Sequence, residues 1–275
     1  MRRMVIFGLG YTASRIAQKL ETLGWEIHST GKNGTMPFDD EGRVAHALAE
    51  ASHVLSSVPP VGGSDIVLDH YGPNLSGKWL GYLSSTGVYG DTGGAWVDES
   101  APTGSGRRQA RAIADARWGD AGAHIFRLPG IYGPGRSALD KVQEGKAHRL
   151  DIAGQVFSRI HVDDIARAVI AGLDAPAGVY NIADNCPSSQ NSVIEAACAL
   201  LGQKPPPVLQ MAEAGLSPAA QAFYTENRRI ANGKARRILG WKPLYPDFET
   251  GLRALRAMAI PASPSAPPDT ASKDH

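Results

Sequence analysis

Gly8, Gly10 and Ala13 stand at the spacing G-x-G-x-x-A, and each place in that spacing has a chemical purpose. The first glycine permits a tight turn out of a strand. The second lets backbone approach a bound group closely, and the small third residue lets a helix pack on its strand. Val5, Ile6 and Phe7 form the short apolar run of a strand buried on both faces. Ile16, Ala17 and Leu20 recur at helical period. A helix start presents free N–H groups and a partial positive charge, which suit phosphate oxygens. The setting predicts a dinucleotide whose diphosphate lies against Gly8, Gly10, Tyr11, Thr12 and Ala13.

Which dinucleotide depends on the residues about 20 positions later, where NAD sites usually place an acid on the adenosine ribose. Here the second strand ends Ser29-Thr30-Gly31-Lys32. Two hydroxyls and a lysine suit a 2′-phosphate, which needs donors and positive charge. NADP is therefore the expected cofactor and NAD the alternative; an ordinary loop lysine would explain Lys32 equally. Asp39, placed at the end of a third strand, lies either near the adenine or in a plain turn.

The elements that must hold these groups alternate through the first half, which argues for a parallel sheet covered on both faces. Strands are expected at about Trp25–Thr30, His53–Val58, Trp79–Leu83 and His124–Leu128, with helices over Arg43–Ala51 and Arg107–Trp118. Further on, helices are expected over 138–144, 160–173 (capped by Asp163 or Asp164), 188–201, 231–239 and 248–258, with one more strand of the main sheet at 179–182. The fold class is α/β, a doubly wound Rossmann-like parallel sheet with a smaller C-terminal substrate lobe. Residues 1–128 and 160–183 would form the dinucleotide-binding domain, 129–159 and 184–258 the lobe, and 259–275 a disordered tail rich in Pro, Ser, Ala and Asp.

Composition narrows the partners. The 28 basic and 27 acidic residues leave a net charge of +1, which gives no electrostatic reason to expect nucleic acid or an anionic membrane. Cys186 and Cys198 form no ligand-spaced pair, as in a reducing compartment. The apolar run after Met1 breaks at Gly8, too short for a leader or a span. A cytoplasmic monomer or homodimer acting on a small molecule is expected, with no metal. His161, Asp163 and Asp164 are too few for a metal site, and Asp163 is better used as a cap.

Beyond the fingerprint, several segments resemble the extended short-chain dehydrogenase/reductase superfamily, in particular its epimerase/dehydratase branch. They are Leu83-Ser84-Ser85-Thr86-Gly87-Val88-Tyr89-Gly90 and Asp98-Glu99-Ser100-Ala101-Pro102. Arg127-Leu128-Pro129-Gly130-Ile131-Tyr132-Gly133-Pro134-Gly135-Arg136 and Arg159-Ile160-His161-Val162-Asp163-Asp164-Ile165-Ala166 follow. Tyr180-Asn181-Ile182-Ala183-Asp184 and Leu239-Gly240-Trp241 close the series. They run in family order from Val5 to about Leu255. The resemblance implies that Ser57, Val58, Pro59, Ser84 and Pro129 line the cofactor groove. It also implies that Ser85, or failing it Thr86, hydrogen-bonds the substrate's reacting oxygen. Read alone, Ser84 to Thr86 are strand-end capping hydroxyls.

The chain departs from the family at the acid/base pair Tyr-x-x-x-Lys. Counting back from Asp115, Arg111 takes the lysine position and Arg107 the tyrosine position, within Arg107-Arg108-Gln109-Ala110-Arg111. An arginine is not deprotonated in a protein, so Arg107 is no general base. Arg111 remains suited to the nicotinamide ribose. Three outcomes follow: Tyr89 or Tyr132 supplies the proton, Arg107 stabilises an oxyanion, or the protein is a catalytically silent cofactor-binding sensor. Tyr89, Tyr132 and Arg136 are the remaining substrate-binding candidates. Arg136 would meet an anionic group or else be a surface arginine, and Tyr132 would be a substrate wall or core filler. The expected activity is that of an NAD(P)-dependent oxidoreductase or epimerase/dehydratase on a small polar substrate, of a sugar-nucleotide kind.

Overall fold

The computed structural model describes residues 2–106 and 108–259. Arg107 and, beyond Ala259, the expected tail lie outside the described residues. In chain order the first elements are β1 (Arg3–Phe7), α1 (Tyr11–Thr22), β2 (Glu26–Ser29), α2 (Glu41–Glu50), β3 (His53–Ser56), α3 (Ile66–Tyr71) and β4 (Trp79–Ser85). Then come β5 (Trp96–Val97), α4 (Gln109–Asp120), β6 (His124–Leu128), β7 (Gly130–Tyr132), α5 (Ala138–Gln143), β8 (Arg149–Leu150), β9 (Arg159–His161) and α6 (Val162–Ala171). The last are β10 (Gly178–Asn181), α7 (Gln190–Leu201), β11 (Val208–Leu209), α8 (Pro218–Gln221), β12 (Arg229–Ile230), α9 (Gly233–Ile238) and α10 (Phe248–Ala259).

Six strands form one parallel sheet in the order β10-β6-β4-β3-β1-β2. Successive side chains of a strand point to opposite faces, and β1 shows what that does. Met4 and Ile6 enter the core beneath Ile16 and Leu20 of α1 and Ile165 and Val169 of α6. Val5 and Phe7 enter the opposite core with Leu48, Tyr82 and Trp118. All four are fully buried, so the continuous apolar run is a consequence of two covered faces. A third core joins α5, α7 and α10 through Leu139, Val142, Ile194, Phe248 and Leu252. Short parallel pairs β7–β9, β8–β11 and β5–β12 lie outside the main sheet.

Two expectations are corrected here. No third strand ends at Asp39: only Met36 makes a single bridge to Thr30. Gly31, Gly34 and the N–H-less Pro37 interrupt any ladder. Phe38 instead turns in against Tyr71, with ring centroids 5.3 Å apart. Asp39 is exposed and lies just before Asp40, which caps α2 by accepting from the Arg43 N–H at 3.1 Å. The helix expected from 160 begins at Val162 and its cap is His161, whose Nδ1 accepts from the Asp163 N–H. Neither Asp163 nor Asp164 serves as that cap. Asp163 pairs with Arg15 of α1, and Asp164 accepts from the Leu244 and Tyr245 N–H groups at 2.6 and 3.0 Å.

Candidate active site

The fingerprint folds as its spacing requires. Gly8 adopts φ +83°, and a Cβ there would come within 3.0 Å of Val58. Ser57 Oγ donates to the Gly8 carbonyl at 2.6 Å, tying β3's end to the turn. Gly10 shows the reverse: a Cβ there would meet nothing within 4 Å. The space before the first turn of α1 is therefore open, as an approaching phosphate requires. Ala13 is fully buried beneath the helix.

Gly10, Tyr11 and Thr12 open into a cleft of about 930 Å³ that runs along the C-terminal ends of the strands to α5, α7 and α10. Ser57, Ser84, Ser85, Thr86, Arg111, Pro129, Tyr132 and Arg136, all singled out in the sequence, line the same cleft. Ser85 is half-buried, and its Oγ accepts from the Gly87 N–H at 3.1 Å. That leaves its own proton free for a substrate oxygen. Thr86 is buried beside it. Arg111 donates to the Tyr82 hydroxyl at 2.8 Å and lies over that ring. Burial holds the Tyr82 hydroxyl up at about 12, so it stays a neutral support for Arg111.

Other predicted residues do different work. Ser29 and Thr30 are each 1% exposed. The Ser29 hydroxyl accepts from the Thr35 N–H, and Thr30 Oγ1 accepts from the Gly8 N–H, both at 3.3 Å. Their hydroxyls shape the loop, which corrects the picture of a free hydroxyl pair; Lys32 is exposed beside them. Val58 packs under Gly8, and Pro59 is exposed. Tyr89 is buried away from the cleft, with its hydroxyl donating to Asn181 Oδ1 at 2.8 Å and accepting from Arg127 at 2.9 Å. It is core, not a substrate contact. Tyr132 exposes ring to the cleft but aims its hydroxyl at the Asp247 carbonyl, 3.5 Å away. Burial raises that hydroxyl far above the ordinary tyrosine range, which removes it as a proton donor near neutrality. Ser84 donates to Asp115 Oδ2 at 2.5 Å and is committed to the scaffold.

Sequence reasoning did not single out three cleft features. Arg159 is 7% exposed yet lines the cleft. Its guanidinium donates to the Phe157 and Ser188 carbonyls at 2.9 Å and to Gln190 Oε1 at 3.1 Å. No carboxylate hydrogen-bonds it, although Asp184 lies close enough to act on it through space, and burial pulls its ionisation down to about 10. The available signal was an arginine inside the apolar run Arg159-Ile160-His161-Val162. Phe157 and Tyr224, rings 5.4 Å apart, form an aromatic wall, and His148 Nε2 lies 3.1 Å from the Tyr224 hydroxyl.

No family model matches the chain. Protein YeeZ of Escherichia coli K12 is 24% identical over 292 aligned residues, covering 90% of this chain and 97% of that one. A 3-diazoavenalumate denitrifying reductase of a Streptomyces species is 31% identical over 145 residues, 48% of this chain and 47% of the relative. The chain thus matches about half the length of that reductase. A functionally unknown conserved protein from Silicibacter pomeroyi superposes with a TM-score of 0.84 and 37% identity, over 94% of this chain and 99% of that one. A Thermus thermophilus UDP-glucose 4-epimerase in complex with NAD gives 0.69 and 20% over 94% and 100% of the two chains. The human epimerase family protein SDR39U1 with NADPH gives 0.72 and 16% over 93% and 99%. The last two share the fold. Among the described residues, no helix is long and apolar enough to cross a membrane.

Proposed function

We propose that the chain, which shares the fold of epimerase/dehydratase proteins, is a member of the extended short-chain dehydrogenase/reductase superfamily and an NADP-dependent oxidoreductase or epimerase of a small polar substrate carrying a negative charge. The observation that supports this best is one cleft holding both the open Gly10 cradle and the buried Arg159, whose guanidinium hydrogen-bonds only carbonyl and amide oxygens. The cradle fits a diphosphate, since a side chain at Gly8 would clash while the space over Gly10 is empty. Bound there, the cofactor would supply or accept hydride at its nicotinamide.

The chain's own residues divide the remaining work. Arg111, braced by Tyr82, faces the ribose; Ser85 donates to the reacting oxygen; Arg159 pairs with the substrate's anion. The loop Gly31–Asn33 offers a lysine and an amide where an acid would favour NAD, which supports NADP. Calorimetric titration with NADPH and NADH tests the cofactor assignment, and binding of neither overturns it. Loss of the reduced cofactor's absorbance across carbonyl compounds tests turnover. Ser85→Ala should lower kcat at least about 100-fold with cofactor affinity unchanged, because it removes a donor to developing charge; an unchanged kcat removes Ser85 from the site. The absence of a tyrosine four residues before Arg111 favours a second reading, a catalytically silent NADP sensor. Tight binding with no oxidation of any substrate would support it.

A further inference from the structure

We propose that Arg136, held on the ring of Tyr11, is a clasp that closes over the diphosphate of the dinucleotide. This rests on the cofactor reading above. Nothing in a glycine fingerprint supplies a full positive charge to two phosphates; it supplies N–H groups and a partial charge. In this fold the missing charge comes from the turn after β7.

The turn is fixed in three ways. Gly133 and Arg136 close it by exchanging N–H···O bonds of 3.2 and 3.0 Å. The Tyr11 hydroxyl donates to the Pro134 carbonyl at 3.1 Å, so the first residue of α1 holds the turn's tip. A Cβ at Gly133 would lie 2.6 Å from that hydroxyl and 2.7 Å from Val162; only glycine lets the turn sit this low on the helix start. On the other side Ser137 caps α5 through a reciprocal pair with Asp140. Arg136 is therefore a side chain on a rigid base.

Its guanidinium lies 5.6 Å from the Tyr11 ring centroid, within the range of a cation over an aromatic face. It lines the same cleft as Gly10, Tyr11 and Thr12, and no carboxylate pairs with it among the described residues. The ring platform keeps a long, exposed arginine beside the open cradle, so less side-chain freedom is lost when an anion arrives. Because the turn leads directly into α5, the diphosphate would also tie the lobe to the sheet.

The test measures dissociation constants of the full chain for NADPH and for ADP-ribose, which has the diphosphate but no nicotinamide. Arg136→Ala should weaken both by about 10- to 50-fold, as expected for loss of a charge-assisted contact to phosphate. Arg136→Lys should recover part of that loss. Tyr11→Leu should resemble Arg136→Ala, whereas Tyr11→Phe, which keeps the platform, should cost about threefold or less. The double variant Arg136→Ala/Tyr11→Leu should be no weaker than either single one, since both act through one contact. A merely structural role would instead lower the melting temperature of the unliganded variants and leave the constants additive. Wild-type binding with Arg136→Ala unchanged overturns the clasp alone. A wild type that binds neither probe overturns the clasp and the cofactor reading together.

Discussion

Two buried polar clusters lie within one fold and are built on opposite terms. At the strand ends under α4, Arg127 holds Asp115 through two hydrogen bonds of 3.1 and 2.7 Å and donates to the Tyr89 hydroxyl. Ser84 completes the carboxylate and Asn181 takes the tyrosine's proton. Charges balance, and each described group has a partner. At the start of β9, Arg159 hydrogen-bonds carbonyl and amide oxygens and no carboxylate, with Asp184 acting on it only through space. Asp184 Oδ2 and His161 Nε2 are buried with no hydrogen-bond partner among the described residues. Unpaired buried groups are costly. The first cluster is complete without a ligand and acts as scaffold. The second, whose arginine lines the cleft, leaves room for a ligand's charge.

Breaking the balanced cluster should have the largest effect. Arg127→Leu leaves Asp115 buried without its cation and should cost about 3–5 kcal/mol in chemical denaturation; Arg127→Leu/Asp115→Leu should recover part of it. Next in size, inorganic phosphate should protect the wild type against heat and Arg159→Met should abolish that protection, yet shift the unliganded protein by less than Arg127→Leu does, because Arg159 hydrogen-bonds no carboxylate and acts on Asp184 only through space. A collapse like that of Arg127→Leu would erase the contrast.

Asp184 sharpens it further. Burial lifts its carboxyl from 3.8 to about 7, so the folded chain keeps a proton that the unfolded chain has released. That contribution is fully present below about pH 4 and is lost as pH rises to about 7. Asp184→Asn should therefore stabilise the protein by roughly 1–3 kcal/mol at pH 8 and by less at pH 5, checked by melting across that range. The smallest effect belongs to His161, which burial depresses from 6.5 to about 4. Its contribution is present above 6.5 and is lost as pH falls through about 4, opposite in slope to Asp184. His161→Asn, which retains a helix-capping side chain, should leave the Asp184 decline unopposed between those values.

Much of the fold was legible because its signals are local. The run Val5–Phe7, the spacing of Gly8 and Gly10 and the period of Ile16, Ala17 and Leu20 lie within one short stretch, and the strand ends at Ser85 and Pro129 followed from ordered motifs. The third strand failed for a local reason too, since Pro37 carries no N–H for a ladder. The site residues that escaped are those whose state depends on distant partners. Nothing near Tyr89 in the chain announces Arg127 or Asn181, and nothing near Tyr132 announces α10. The wall of Phe157 and Tyr224 joins residues far apart in the chain, and the setting of Arg159 among carbonyl and amide oxygens is visible only once its surroundings are assembled.

The sheet's unfinished flank has a consequence of its own. With only a bridge at Met36 beyond it, β2 presents most of its outer backbone to whatever arrives, including a strand from another molecule. It is four residues long, and Glu26 along it engages both His28 at 3.1 Å and Arg3 at 2.8 Å. Brevity and charge are the means by which proteins keep such borders from zippering to a second copy, and here they let the sheet stop one strand early without becoming adhesive.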